Sequence, residues 1–536
     1  MGSGFQAEVA RLLEESGDRR IVERLWGRDH TLWSESPAEI SNRLGWLDAP
    51  LAMRELLPAL ADLSRETREE GVHDLVLLGM GGSSLGAEVL ARICGQAPGH
   101  PRLHALDSTV PAWVRRVTEA IDPRRTLYLV SSKSGSTAEV AALFAHFWER
   151  ATAAEGPEEA GLRFLAITDP GTSLAALAAE KRFRRLFENP PEIGGRFSVL
   201  SLFGLVPAAL LGLDVRALLG GAAAMAQACG PGTPDAENPG LHLGIAMAAA
   251  VRTGRPFLGL LAGRRLAPFG LWAEQLVAES LGKGGQGIVP VTEEPLPPAG
   301  ALPPGERLHV RLRFAGESEP ELDRLAADLA AGGEPLLDLE LAAPESLGAE
   351  FLRWEVATAI AGALVGVHPF DQPDVESTKR ETRRLLAACR ETGALPAIEA
   401  AESLEQALAA GAPPSYLALL AYTDDRPGIA AAAAMLRARL GRRLGVPTTF
   451  GFGPRYLHST GQLHKGGPAG GLFVQLLGLG DDLPIPGEPF GFATLARAQA
   501  DGDLLALGAS GRRVVRIELA GDPMDATAAL TGLAGA

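Results

Sequence analysis

The feature that most constrains this chain is a unit that recurs: a short apolar run, a loop of small residues, then helical periodicity. Asp74-Leu75-Val76-Leu77-Leu78-Gly79 leads through Met80-Gly81-Gly82-Ser83-Ser84 into three-to-four apolar spacing over residues 85–93. Thr126-Leu127-Tyr128-Leu129-Val130 leads through a Ser/Thr loop into a helix over residues 138–150, and Phe164-Leu165-Ala166-Ile167 opens a further copy. Repeated alternation of strand and helix predicts an α/β fold of parallel sheets wrapped by helices.

Ahead of this, residues 7–70 carry helical spacing, which predicts an N-terminal helical arm over 1–70. A second α/β region follows the first, with strand candidates at 256–261 and 309–314, a small-residue helix around Gly362 and a Pro/Gly surface loop at 295–300. Gly411-Ala412-Pro413-Pro414 marks a boundary, after which residues 416–422, 471–477 and 513–519 read as strands. The predicted units are therefore 1–70, 71–215, 216–410 and 411–536.

With 46% hydrophobic and 21% charged residues the chain has the balance of a globular protein with a sizeable core. A net charge of −15 offers no basic footprint for nucleic acid or an anionic membrane, so any phosphate must be held locally. Cys94, Cys229 and Cys389 are odd in number and far apart, which supports neither a disulfide framework nor a zinc site and fits the cytoplasm. No secretory leader is expected from the polar start, and the apolar stretch 197–213 holds Ser198, Ser201, Gly204 and Pro207, so it reads as a buried helix.

Two loops point to chemistry. Glycines let a backbone approach an anion, and the N–H groups of a helix start bind phosphate, so the loop at 79–86 is a candidate; tight packing explains it equally well. Ser131-Ser132-Lys133-Ser134-Gly135-Ser136-Thr137 adds hydroxyls and an ammonium at the carboxyl end of a strand, where open α/β sheets bind ligands. N-capping accounts for one or two of these residues but not for the set. A sugar phosphate suits both loops.

The paired loops resemble the sugar isomerase (SIS) fold. Gly194-Gly195-Arg196-Phe197-Ser198, Glu279-Ser280-Leu281-Gly282-Lys283 and Phe370-Asp371-Gln372-Pro373-Asp374-Val375-Glu376-Ser377-Thr378-Lys379 resemble phosphoglucose isomerases within that fold. His458-Ser459-Thr460-Gly461-Gln462-Leu463-His464-Lys465-Gly466-Gly467-Pro468 is similar to the isomerase half of bifunctional transaldolase/phosphoglucose isomerase proteins. The resemblance implies two SIS domains and a C-terminal α/β unit, reversible isomerisation of glucose 6-phosphate and fructose 6-phosphate through ring opening and a cis-enediol, and a homodimer. It implies no metal and no cofactor.

Carried over by position, the resemblance makes Glu279 the base that moves a proton between C1 and C2, and Arg196 the cation that stabilises the enediolate. Lys379 and Gln372 match a lysine and a glutamine near the ring oxygen and phosphate. Ser132, Ser134 and Thr137, with Lys133 beside them, match phosphate ligands. Gly82 and Ser83 border the sugar, and Glu139 matches a glutamate near the site. An acid must also open the sugar ring, and histidine suits this near neutral pH. Longer family members carry that histidine between the glutamate and the Phe-Asp-Gln motif; here the similar pattern begins at His458, beyond it. His458 is therefore expected to return to the site from the third unit, from the same chain or a partner, with His464 as a second candidate.

Two rival readings remain open at this level. One is a SIS-type regulator that binds a sugar phosphate without converting it, which would need no base. The other is a related isomerase that also accepts mannose 6-phosphate.

Overall fold

The computed structural model describes residues 3–398, 404–409, 412–519 and 527–532. Strands β1 (Asp74–Gly79), β2 (Arg102–Leu106), β3 (Thr126–Ser131), β4 (Phe164–Thr168) and β5 (Arg185–Glu188) form a sheet in the order β2-β1-β3-β4-β5. Next, β6 (Phe257–Ala262), β7 (Val289–Val291), β8 (Arg307–Phe314) and β9 (Leu336–Leu341) pair as β7-β6-β8-β9. Last, β10 (Tyr416–Tyr422), β11 (Thr448–Phe452), β12 (Gly471–Leu477) and β13 (Arg513–Glu518) pair as β11-β10-β12-β13. All neighbouring strands are parallel.

The three sheets share one strand order, in which the second strand lies on one side of the first and the third strand on the other. Such a reversal opens a crevice at the carboxyl ends of the strands, the place where ligands bind in sheets of this kind.

Strands β1, β3 and β10 are buried along their whole length, as parallel strands covered by helices on both faces must be, and they read as unbroken apolar runs. The sequence reading passes over β2, β5, β7, β9 and β11, and all five stand at sheet edges. There one side has no strand neighbour and the pattern dilutes: β5 exposes alternate residues, and β7 is only three residues long.

The helices ahead of β1 pack back on the body. Trp26 Nε1 donates to Cys229 O and Trp33 Nε1 to Ala359 O, each at 2.9 Å. The apolar stretch at 197–213 holds the helix Leu202–Leu210, every residue of which is buried. Among the described residues, no helix is long and apolar enough to cross a membrane. The helix Phe269–Leu281 is enclosed on all sides, with only Leu271 not fully buried, and it carries the key glutamate in its last turn.

The third sheet meets the first end on. Asp424, just after β10, accepts from Arg116 Nε at 3.1 Å, and Arg455, just after β11, donates to Asp107, just after β2. This docking brings the third unit's loops over the crevice of the first sheet.

Candidate active site

The crevice between β1 and β3 opens into a cavity of about 840 Å³. Its floor is the turn after β1, where Gly81 holds φ at +56° and a side chain at Gly82 would collide with the Gly195 carbonyl. Glycine is required at Gly82 because the arginine-bearing turn Gly195–Phe197 lies directly against it, and at Gly81 because of its positive φ and the His458 carbonyl, 2.6 Å from where a Cβ would stand.

The loop after β3 forms one wall. Lys133, Ser134 and Thr137 line the cavity, and the helix Ala138–Glu155 begins immediately behind them, so its free N–H groups add to an anion site. Ser132 is buried and bonds Thr137 Oγ1 at 2.9 Å, which shapes the loop without lining the cavity. Lys133 Nζ pairs with Asp169 and donates to Pro191 O at 2.9 Å, so its charge is partly spent on holding two further loops.

Opposite stands the buried pair of Arg196 and Glu279, with Nη1 and Oε1 3.1 Å apart. The guanidinium is fixed by three more acceptors: Gln372 Oε1 at 2.8 Å, Pro369 O at 3.0 Å and Asp371 O at 2.8 Å. Gln275, one helical turn before Glu279, donates to Glu279 Oε2 at 3.2 Å and to His458 O at 2.8 Å. The carboxylate is therefore aimed into the cavity by a cation on one side and an amide on the other.

Lys283 stands behind this pair. Its Nζ donates to His368 O at 2.5 Å, Asp371 O at 2.6 Å and Asp371 Oδ1 at 2.7 Å, pinning the loop that grips Arg196. Burial, and then the nearby Arg196 charge, push its ammonium down to about 7. Lys379 reaches the cavity from the helix Val375–Thr392; it is partly exposed and pairs with Glu376 at 2.8 Å.

His458 closes the cavity from the 3₁₀ turn Arg455–His458. Its Nε2 meets Glu139 Oε1 at 2.8 Å, and the same oxygen accepts from Gln499 Nε2 at 2.6 Å. Burial opposes the charge on Glu139, but the facing His458, a backbone N–H and Lys379 together outweigh it and hold the carboxyl below its ordinary value. Gln499 is oriented in turn by Thr109, whose Oγ1 donates to Gln499 Oε1 at 2.7 Å.

The structure does not bring His464 to the cavity. Its ring is buried between Tyr456 and Phe473, with centroids 5.8 and 5.0 Å away, and burial lowers it to about 3. A neutral ring packed in this way fills the core of the third unit.

Residues 61–285 match the phosphoglucose isomerase family model. A Rubrobacter xylanophilus protein named glucose-6-phosphate isomerase is 34% identical over 374 residues, 61% of this chain and 86% of its own length. The chain belongs to the phosphoglucose isomerase family. A glucose-6-phosphate isomerase of Thermus thermophilus is 31% identical over 72% of this chain and 98% of its own. A solved structure of a hypothetical protein from the same species superposes with a TM-score of 0.58 at 30% identity, covering 72% of this chain and 97% of that one. A glucose-6-phosphate isomerase from Chlamydia trachomatis shares the fold, with a TM-score of 0.52 at 21% identity over 69% of this chain and 78% of that one.

In this phosphoglucose isomerase family member the segment with His458 lies beyond the Phe-Asp-Gln motif in sequence, and the docked third sheet brings His458 to Glu139 of the same chain. The sequence reading missed Gln275, Lys283 and Gln499. Gln275 was legible in principle, since residues four apart share a helix face with Glu279. Lys283 stood inside a quoted motif. Gln499 lies 360 residues from Glu139 and leaves no local signal.

Proposed function

We propose that this chain interconverts glucose 6-phosphate and fructose 6-phosphate, with Glu279 as the proton carrier. The observation that supports this most directly is the buried Glu279–Arg196 pair at 3.1 Å, facing the same cavity as the hydroxyl loop Ser134–Thr137 and His458.

The phosphate binds at Ser134, Thr137 and the start of the helix Ala138–Glu155. With Nε2 held by Glu139, the cationic His458 ring gives a proton to the ring oxygen as that oxygen's bond to C1 breaks, and the Glu139 carboxylate stabilises the cation that gives the proton. The C1 hydroxyl releases its proton to water and becomes the carbonyl. In the open chain the carboxylate of Glu279 takes the C2 proton. The electron pair moves into a C1–C2 double bond, and negative charge collects on the carbonyl oxygen at C1. Arg196 faces that charge in a water-poor pocket, where a fixed cation counts most. Transfer of a proton between the two oxygens and return of the Glu279 proton to C1 leave the ketone at C2.

A regulator that only binds sugar phosphate would have no use for a buried carboxylate aimed by Arg196 and Gln275. The deciding experiment is a coupled assay of fructose 6-phosphate conversion by the purified chain and by Glu279→Gln. Turnover that survives the substitution sinks the proposal, as does a wild-type chain that binds the sugar phosphate without converting it.

A further inference from the structure

His458 is held at its end by Glu139, yet the turn that carries it belongs to the third sheet, while Glu139 and the glycine turn belong to the first. Some contact must set the two bodies in register. Three residues before His458, Arg455 enters the first unit and is buried there. Its Nε donates to Asp107 Oδ1 at 2.8 Å, and its Nη2 to Glu88 Oε2 at 2.7 Å. Its guanidinium also lies over the buried Trp113 ring, 5.4 Å from the centroid.

Both carboxylates lead back to the cavity floor. Glu88 lies in the first turn of the helix Leu85–Cys94, which begins directly after the glycine turn. Asp107 accepts from Ser84 Oγ at 3.1 Å, and the same hydroxyl donates to Gly81 O at 3.2 Å. A buried ion pair adds little net stability, because desolvation offsets the attraction, but it admits few geometries. A planar guanidinium that serves two separate carboxylates admits fewer still.

We propose that Arg455 is a positioning residue: anchored to Asp107 and Glu88, it fixes the Arg455–His458 turn over the glycine turn, so that one chain builds a whole isomerase site. The inference rests on the reading of His458 as the ring-opening acid. It assigns to the third unit a task beyond supplying His458, namely holding that residue in register.

The test uses the full chain with fructose 6-phosphate. Wild-type conversion, strongly lowered but still measurable in His458→Ala, first establishes the reading itself; without it the reading fails, whatever Arg455 does. Arg455→Lys keeps the charge but cannot reach both carboxylates, and the expected result is a kcat lowered about tenfold with KM little changed, since displacement on the order of 1 Å costs up to about a hundredfold. Placed in His458→Ala, the same substitution should cause no further loss, because it acts only through that ring. An equal loss in both backgrounds overturns the proposal, as does an unchanged kcat in Arg455→Lys. Asp107→Asn, close in shape, provides the same comparison if Arg455→Lys does not fold.

Discussion

Two crevices of similar size open where strand order reverses, one of about 840 Å³ beyond β1 and β3 and one of about 760 Å³ beyond β6, β7 and β8. The helix Phe269–Leu281 stands between them: it turns Gln275 and Glu279 toward the first, while Glu274 accepts from Thr292, which lines the second, at 3.0 Å. The first crevice combines hydroxyls, glycines and a carboxylate held by Arg196. The second is lined by Glu293, Glu294, Glu319 and Glu321 with Arg264 and Arg307, and Arg307 is already paired with Glu294 at 2.5 Å. Equal topology thus yields two cavities, and what stands at the helix start distinguishes them: Ser134 and Thr137 precede the helix Ala138–Glu155 in the first, whereas Glu319 and Glu321 stand at the start of the helix Pro320–Ala331 in the second and repel a phosphate dianion.

The most forceful way to break this comparison is at the shared helix. Glu279→Gln is expected to lower kcat by about 10²- to 10⁴-fold, the usual worth of a positioned acid or base. Glu274→Gln, five residues earlier, should leave kcat unchanged in the same coupled assay. Equal losses in both variants would erase the distinction.

Next in size is the phosphate wall. Removing both hydroxyls in Ser134→Ala with Thr137→Ala should raise KM for fructose 6-phosphate about a hundredfold, since each charge-assisted hydrogen bond contributes about 1.5–3 kcal/mol. Steady-state kinetics on the double variant checks it, and an unchanged KM would move the phosphate elsewhere.

Smaller effects come from the two displaced pKa values, and they run in opposite senses. Lys283 is held near 7 by burial and then by Arg196, against the attraction of Asp371 and Glu279, and its charge also faces His368. Above about pH 7 it loses its proton and its grip on the Asp371 loop. A falling limb of kcat/KM there should be present in the wild type and absent from Lys283→Met, whose activity is uniformly lower. Glu274 is raised to about 7 by burial. The unfolded chain therefore ionises this group near 4.5 while the folded one does not, and stability falls as pH rises from about 4.5 to about 7. Glu274→Gln removes that loss, so its unfolding free energy from denaturant titration should match the wild type near pH 4 and exceed it at pH 7 by up to on the order of 3 kcal/mol.

The smallest expected effect lies in the acidic crevice. Glu321→Lys reverses an exposed charge there and should leave kcat and KM for fructose 6-phosphate as they were. A changed KM would show sugar phosphate entering the second crevice.

Legibility followed the range of the forces involved. Strands β10 and β12 could be read to their ends, because an inner parallel strand is apolar throughout. Edge strands such as β5 and β9 could not, since half their side chains answer to solvent. Glu279, Arg196 and Gln372 were named by motif, and the structure gathers them within hydrogen-bonding reach. His464 sat in an equally suggestive motif yet packs against Phe473, because six residues along a turn and short helix separate a cavity wall from a core.

By itself the sequence determined the α/β alternation and the glycine and hydroxyl loops, and it singled out Glu279 as the candidate proton carrier, all of which are written within a few neighbouring residues. Only the tertiary structure decided that Arg196, Glu279, His458 and the hydroxyl loop line one crevice, that His458 meets Glu139 of the same chain, and that Lys283, Gln499 and Arg455 hold the groups in front of them. Those outcomes depend on charges and hydrogen bonds between residues as much as 390 positions apart, such as Thr109 and Gln499, and such pairs meet only after the sheets have docked.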